Sequence, residues 1–120
     1  MEKQIIAVMG ASSDTGKYWY KIFNDIKDYG LNVYCVNPKT PLDAKNRIYN
    51  TFSDLPEKPD TMIIVLRPEL AEQAVKQAVE NGVKTIWFQP GAYSEAAAQE
   101  ARKAGLTVYD SCFMLATGIW

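Results

Sequence analysis

Two periods of apolar residues alternate along the chain. Runs of strand length occupy residues 5–9, 32–36, 61–66, 85–88 and 106–109. Between them the spacing changes to that of amphipathic helices. Tyr18, Ile22, Phe23 and Ile26 recur at helical spacing with Lys21, Asp25, Lys27 and Asp28 between them, and Gly30 is a C-terminal stop. Pro68 opens a second helix running to about Glu80, whose stripe is Leu70, Ala71, Ala74, Val75, Ala78 and Val79, and Asn81-Gly82 ends it. Ser94 caps a third, with Ala96, Ala97, Ala101 and Ala104 as a small-residue face and Gly105 as terminator. Residues 40–59 are less regular: a turn at 40–43, a short extended piece at 47–50 and a brief helical turn at 51–56.

Strands alternating with helices, with no repeats and no linker, predict one α/β domain over residues 1–120. The expected architecture is a three-layer, Rossmann-like, doubly wound parallel sheet of about five strands in the order 3-2-1-4-5, with right-handed crossovers. In this arrangement residues 61–66 are the third strand, and the switch point lies between the first and fourth strands. Residues 10–17, 37–39, 66–68 and 89–91 then meet around one crevice at the carboxyl edge of the sheet, where such folds bind ligands.

The loop that follows the first strand carries the most informative chemistry. The stretch from Gly10 through Ala11, Ser12, Ser13, Asp14, Thr15 and Gly16 to Lys17 reads as a phosphate-cradling turn into a helix, whose first N–H groups lack internal partners and whose dipole favours an anion. Gly10 is expected to let the backbone turn sharply and approach the ligand, and Asp14 or Thr15 to cap the helix. The dinucleotide fingerprint is absent, because Ser12 and Thr15 stand where its second and third glycines belong. A Walker loop is absent too, since five residues separate Gly10 from Gly16 and Tyr18 follows Lys17. About 20 residues beyond its glycine loop an NAD site places an acid, whereas Asn37, Pro38 and Lys39 occupy the turn here. Lys39 suits a phosphate on the adenosine ribose, as in NADP or coenzyme A. Arg67, at the end of the strand over 61–66, is placed to meet a ligand phosphate or a neighbouring acid, and Gln89-Pro90-Gly91 lies at the same edge.

A net charge of −1, with both signs spread along the chain, gives no electrostatic basis for nucleic-acid or membrane binding. No apolar run is long enough to span a bilayer and no signal peptide precedes the first strand, so a cytoplasmic protein is expected. Cys35 and Cys112 lack metal-ligand spacing and are expected to be reduced. The chain has no histidine, which removes Ser-His triads and His-metal sites. The apolar tail over 113–120 is expected to pack on the domain or on a partner subunit, which makes a homodimer an expectation.

Taken in order, Ala7-Val8-Met9-Gly10-Ala11-Ser12, Val36-Asn37-Pro38, Leu55-Pro56, Leu66-Arg67-Pro68, Trp87-Phe88-Gln89-Pro90-Gly91 and Ala104-Gly105-Leu106-Thr107-Val108 with Asp110-Ser111-Cys112 resemble the small stand-alone CoA-binding proteins. That family is related to the CoA-binding domain of the succinyl-CoA synthetase alpha subunit. The resemblance implies a nucleotide-binding module that holds coenzyme A or acyl-CoA, with Gly10, Ala11, Ser12 and Lys17 near phosphate. It puts Asn37, Pro38 and Lys39 near the adenosine end, Lys39 on the 3′-phosphate, and Leu66, Arg67 and Gln89 along the rest. Asp14 departs from the pattern by adding negative charge to the phosphate loop. The synthetase reaction uses a phosphorylated histidine, so only the binding function carries over, as a sensor or a partner-dependent protein. The alternative is an NADP-dependent oxidoreductase using the same crevice, with Tyr18 or Tyr93 as acid assisted by Lys17. A third reading gives Cys112 a mixed disulfide with CoA.

Overall fold

The computed structural model describes residues 4–14 and 16–120. Thr15, one of the two expected helix caps, and residues 1–3 lie outside the described residues. Six parallel strands form one sheet in the order β3-β2-β1-β4-β5-β6: β1 (Ile5–Met9), β2 (Asn32–Val36), β3 (Ile48–Tyr49), β4 (Thr61–Ile64), β5 (Thr85–Phe88) and β6 (Thr107–Asp110). The expected winding is present with a sixth strand added. The two-residue β3 takes the third place, so the strand read as third is the fourth. It pairs with β1, Val8 opposite Ile63, instead of lying beyond β2. The switch point therefore falls between β1 and β4, and β2 carries β3 at its outer edge through Cys35 opposite Ile48.

Alternation along β1 explains the three layers. Ile6 and Val8 point to one face and join Val33, Cys35 and Ile63 under α1 (Tyr18–Tyr29) and α4 (Phe113–Ala116). Ala7 and Met9 point to the other, where Met62, Ile64 and Ile86 meet α2 (Pro68–Glu80) and α3 (Glu95–Lys103). Both faces being covered, the strands read as unbroken apolar runs.

The helices begin and end largely where their residues dictate. Ser94 Oγ accepts from the Ala97 N–H at 3.2 Å at the start of α3. Pro68 stands at the first turn of α2, and Gly30 closes α1 with φ of 100°. The helix faces are rotated slightly from expectation. In α1 the buried positions are Trp19, Ile22, Phe23 and Ile26, while Tyr18 is largely exposed. Leu70 and Val79 of α2 and Ala96 and Ala104 of the α3 region are likewise exposed; Ala98 takes the inner place. The small inner faces of α2 and α3 let the two helices lie together on the sheet.

The tail packs on its own domain. Phe113 and Met114 are buried under α1, and the Trp120 indole Nε1 donates to Asp25 Oδ2 at 2.7 Å. Among the described residues no helix is long and apolar enough to cross a membrane.

Candidate functional site

The loops at the carboxyl edge begin from backbone ties that fix their starting points. The Gly10 N–H donates to the Val36 carbonyl at 3.0 Å, Val65 to Met9 at 3.0 Å, Gln89 to Ile64 at 3.1 Å, and Asn37 to Tyr49 at 2.8 Å. Each tie continues the ladder one residue past its strand. The loops therefore leave the sheet side by side and enclose an open crevice of about 450 Å³, within the size range of small-molecule sites.

Of the residues expected at this site, Ala11, Ser12, Lys17, Lys39, Leu66, Arg67, Gln89 and Gly91 line the crevice. Lys17, Lys39 and Arg67 expose their side chains. Arg67 makes a long contact with Glu69, 3.9 Å between two well-exposed groups, an arrangement of little energetic weight. The crevice thus presents cationic groups at an otherwise largely apolar wall, which also includes Val65, Leu70, Pro90 and Ala92.

The remaining expected residues stand outside the lining and act on it indirectly. Asn37 is fully buried. Its Nδ2 donates to the Ser12 carbonyl at 2.9 Å and its Oδ1 accepts from the Lys39 N–H at 3.0 Å. It clamps the first loop to the turn after β2, and Pro38 beside it is exposed and does not line the crevice. Gly10 is buried with no positive φ; a Cβ there would lie 2.9 Å from Trp19 Cγ, so the glycine makes room for the indole rather than for a sharp turn. Gly16 is exposed outside the lining.

The expected Asp14 cap gives way to a different loop. Lys17 occupies the N-cap position of α1 with no side-chain cap bond. Asp14 turns inward on the loop: its Oδ1 accepts from the Gly16 N–H at 2.8 Å, while its own N–H donates to Ser12 Oγ at 3.1 Å. The carboxylate binds the loop itself and does not cap the helix.

Gln89 lines the crevice but its amide is engaged with the tail. Its Oε1 accepts from the Phe113 N–H at 2.7 Å and its Nε2 donates to Cys112 Sγ at 3.4 Å. Cys112 is buried and does not line the crevice. The other thiol, Cys35, is pushed by burial up to about 12 and is inert. Among the described residues no cluster of His, Cys, Asp or Glu is arranged to hold a metal.

Tyr18 and Trp19 also line the crevice; neither is among the residues expected at the CoA site. Burial and the neighbouring Cys112 raise the Tyr18 phenol above its ordinary value, which makes it a weaker acid. Tyr93 lies outside the lining, its hydroxyl donating to Glu95 Oε2 at 2.7 Å.

A family model described as a CoA binding domain matches residues 4–118. The chain belongs to this CoA-binding domain family. The alpha subunit of an ADP-forming acetate–CoA ligase II from Pyrococcus furiosus is 30% identical over 99 residues, which are 82% of this chain and 22% of that relative. The resemblance read from the sequence is to the succinyl-CoA synthetase alpha subunit, and the alpha subunit found here is that of an acetate–CoA ligase. This CoA-binding domain therefore spans less than a quarter of that relative's length. Among solved structures, a hypothetical protein from Pyrococcus horikoshii OT3 superposes with a TM-score of 0.85 at 30% identity, covering 94% of this chain and 80% of that one. A conserved hypothetical protein from Pyrococcus furiosus superposes with a TM-score of 0.82 at 35% identity, covering 94% and 98%.

Proposed function

We propose that this domain binds coenzyme A or acyl-CoA in the crevice at the switch point, without catalysing a reaction itself. One observation carries the reading: Lys17, Lys39 and Arg67, drawn from three separate loops, line a single crevice in a chain of the CoA-binding domain family. Separated cations suit a ligand with phosphate at more than one point. In this reading Ser12 and Lys17 attend the pyrophosphate, Lys39 the 3′-phosphate, and Leu66 with Leu70 the less polar remainder. Gly10, Gly16, Asn37 and Pro38 contribute by shaping the loops, and Gln89 and Gly91 close the far side. The lining supports a fit because its exposed charges are positive and its wall is apolar.

An oxidoreductase using the same crevice is the less supported reading: Tyr93 lies outside the lining and is engaged with Glu95, and Tyr18, the phenol in the lining, is raised above its ordinary value. Titration calorimetry with CoA, dephospho-CoA, NADP and NAD at one salt concentration tests the choice. Preference for CoA over dephospho-CoA with weak NADP binding is the expected result; tight NADP binding without CoA binding would overturn it.

A further inference from the structure

Trp19 is 2% exposed and its indole belongs to the apolar cluster beneath the β1–α1 loop. The chain makes space for it by having no side chain at Gly10, where a Cβ would come within 3.0 Å of both Trp19 Cγ and Cβ. Trp19 nevertheless lines the crevice. Its Nε1 is buried and has no hydrogen-bond partner among the described residues. A donor buried in that way bears its full desolvation cost, and native structures leave few such groups unmatched.

The loop above it indicates the missing acceptor. The N–H groups of Gly10, Asp14 and Gly16 are already engaged, with the Val36 carbonyl, Ser12 Oγ and Asp14 Oδ1. Backbone amides that cradle phosphate in a glycine-rich loop are to that extent committed internally here. Among the side chains that line the crevice, an anion meets the charged heads of Lys17, Lys39 and Arg67, the hydroxyls of Ser12 and Tyr18, and one neutral donor on a ring held by packing.

The geometry points to the Trp19 indole N–H as the fixed donor that this crevice offers to a phosphoryl oxygen of its ligand. Under the reading above, on which this inference rests, that oxygen belongs to the pyrophosphate of coenzyme A. The lysines supply charge with little direction, whereas the ring, locked against Gly10, supplies direction.

Indole N–H resonances test this directly, because the chain has only three tryptophans and Trp19→Phe identifies the relevant signal. CoA, ADP and pantetheine are titrated into the ¹⁵N-labelled wild-type protein, with calorimetry on the same samples. The expected result is a downfield shift of the Trp19 indole proton with CoA and with ADP and none with pantetheine. Trp19→Phe, checked for cooperative unfolding, is expected to weaken CoA about tenfold, the size of one hydrogen bond to a charged acceptor. If calorimetry records CoA binding while the Trp19 signal stays in place, the inference fails and the CoA reading stands. A shift with pantetheine but not with ADP overturns the phosphoryl assignment. No CoA binding by the wild-type protein overturns both.

Discussion

The rim of the crevice and its supports are built from opposite chemistry. On the rim, Lys17, Lys39 and Arg67 are exposed, and among the described residues their only ion pair is the long Arg67–Glu69 contact. Behind it, Asn37 and Gln89 are buried to 1% exposure or less, and both side-chain polar atoms of each are hydrogen-bonded within the protein. Only Pro38 separates Asn37 from Lys39, yet one side chain holds loops together and the other is exposed for a ligand. A ligand can therefore recruit the rim without disturbing the fold. Substitutions should separate accordingly, with supports changing stability first and rim residues changing affinity alone.

The sharpest break comes from Asn37→Ala. It leaves the Ser12 carbonyl and the Lys39 N–H without their partner, and a loss of about 2–4 kcal/mol in unfolding free energy is expected from two such bonds. Urea denaturation measures it, and a change below about 0.5 kcal/mol would remove Asn37 from the supports. Gln89→Leu keeps the side-chain volume but strands the Phe113 N–H. About 1–3 kcal/mol is expected, with faster hydrogen exchange confined to the segment after β6. Uniform exchange across the sheet would contradict a local tie. Lys39→Ala should leave stability within about 0.5 kcal/mol while weakening CoA roughly three- to tenfold and dephospho-CoA hardly at all. Equal weakening of the two ligands would detach Lys39 from the 3′-phosphate.

The same division explains what the sequence made legible. Strand runs, the Gly30 and Pro68 boundaries and the Ser94 cap depend on local residue chemistry, and they fall where that chemistry puts them. The crevice followed from winding alone, since carboxyl-edge loops converge wherever parallel strands alternate with helices. The piece over 47–50 reads as extended, but β3 is not legible as a strand of the sheet because two residues make no apolar run. It is set by Arg47 in the left-handed region, with φ of 68°, and by Asp43 pairing with Ile48. Trp19 escaped as a crevice residue because spacing shows only that it joins the stripe of Ile22, Phe23 and Ile26; that its ring also borders the crevice, in the room left at Gly10, is a tertiary fact. Likewise the tie from Gln89 to Phe113, 24 positions on, is invisible in the sequence, which shows only that Gln89 lies at the ligand edge.

The tail offers the smallest effect and a last refinement, because it is anchored once inside and once at the surface. Gln89 holds Phe113 within the core, and Asp25 on the outer side of α1 accepts from the Trp120 indole and from Lys21 at 3.0 Å. The indole bond, then the Lys21 bond, hold the Asp25 carboxyl below the usual carboxylate range. A carboxyl lowered by folding adds stability that is complete above its unfolded value near 3.9 and is lost as pH falls through the lowered one. Trp120→Phe removes the larger cause and keeps an aromatic ring beside Tyr18, which packs edge-on at 5.6 Å. Wild type should therefore exceed the variant by no more than about 1 kcal/mol at pH 6, the ceiling for exposed contacts. The gap should narrow below pH 4 as Asp25 takes up its proton. Urea midpoints for both proteins across this range measure it. A gap that stays constant with pH would mean that Trp120 acts through ring packing alone, leaving the Gln89 tie as the polar anchor of the tail.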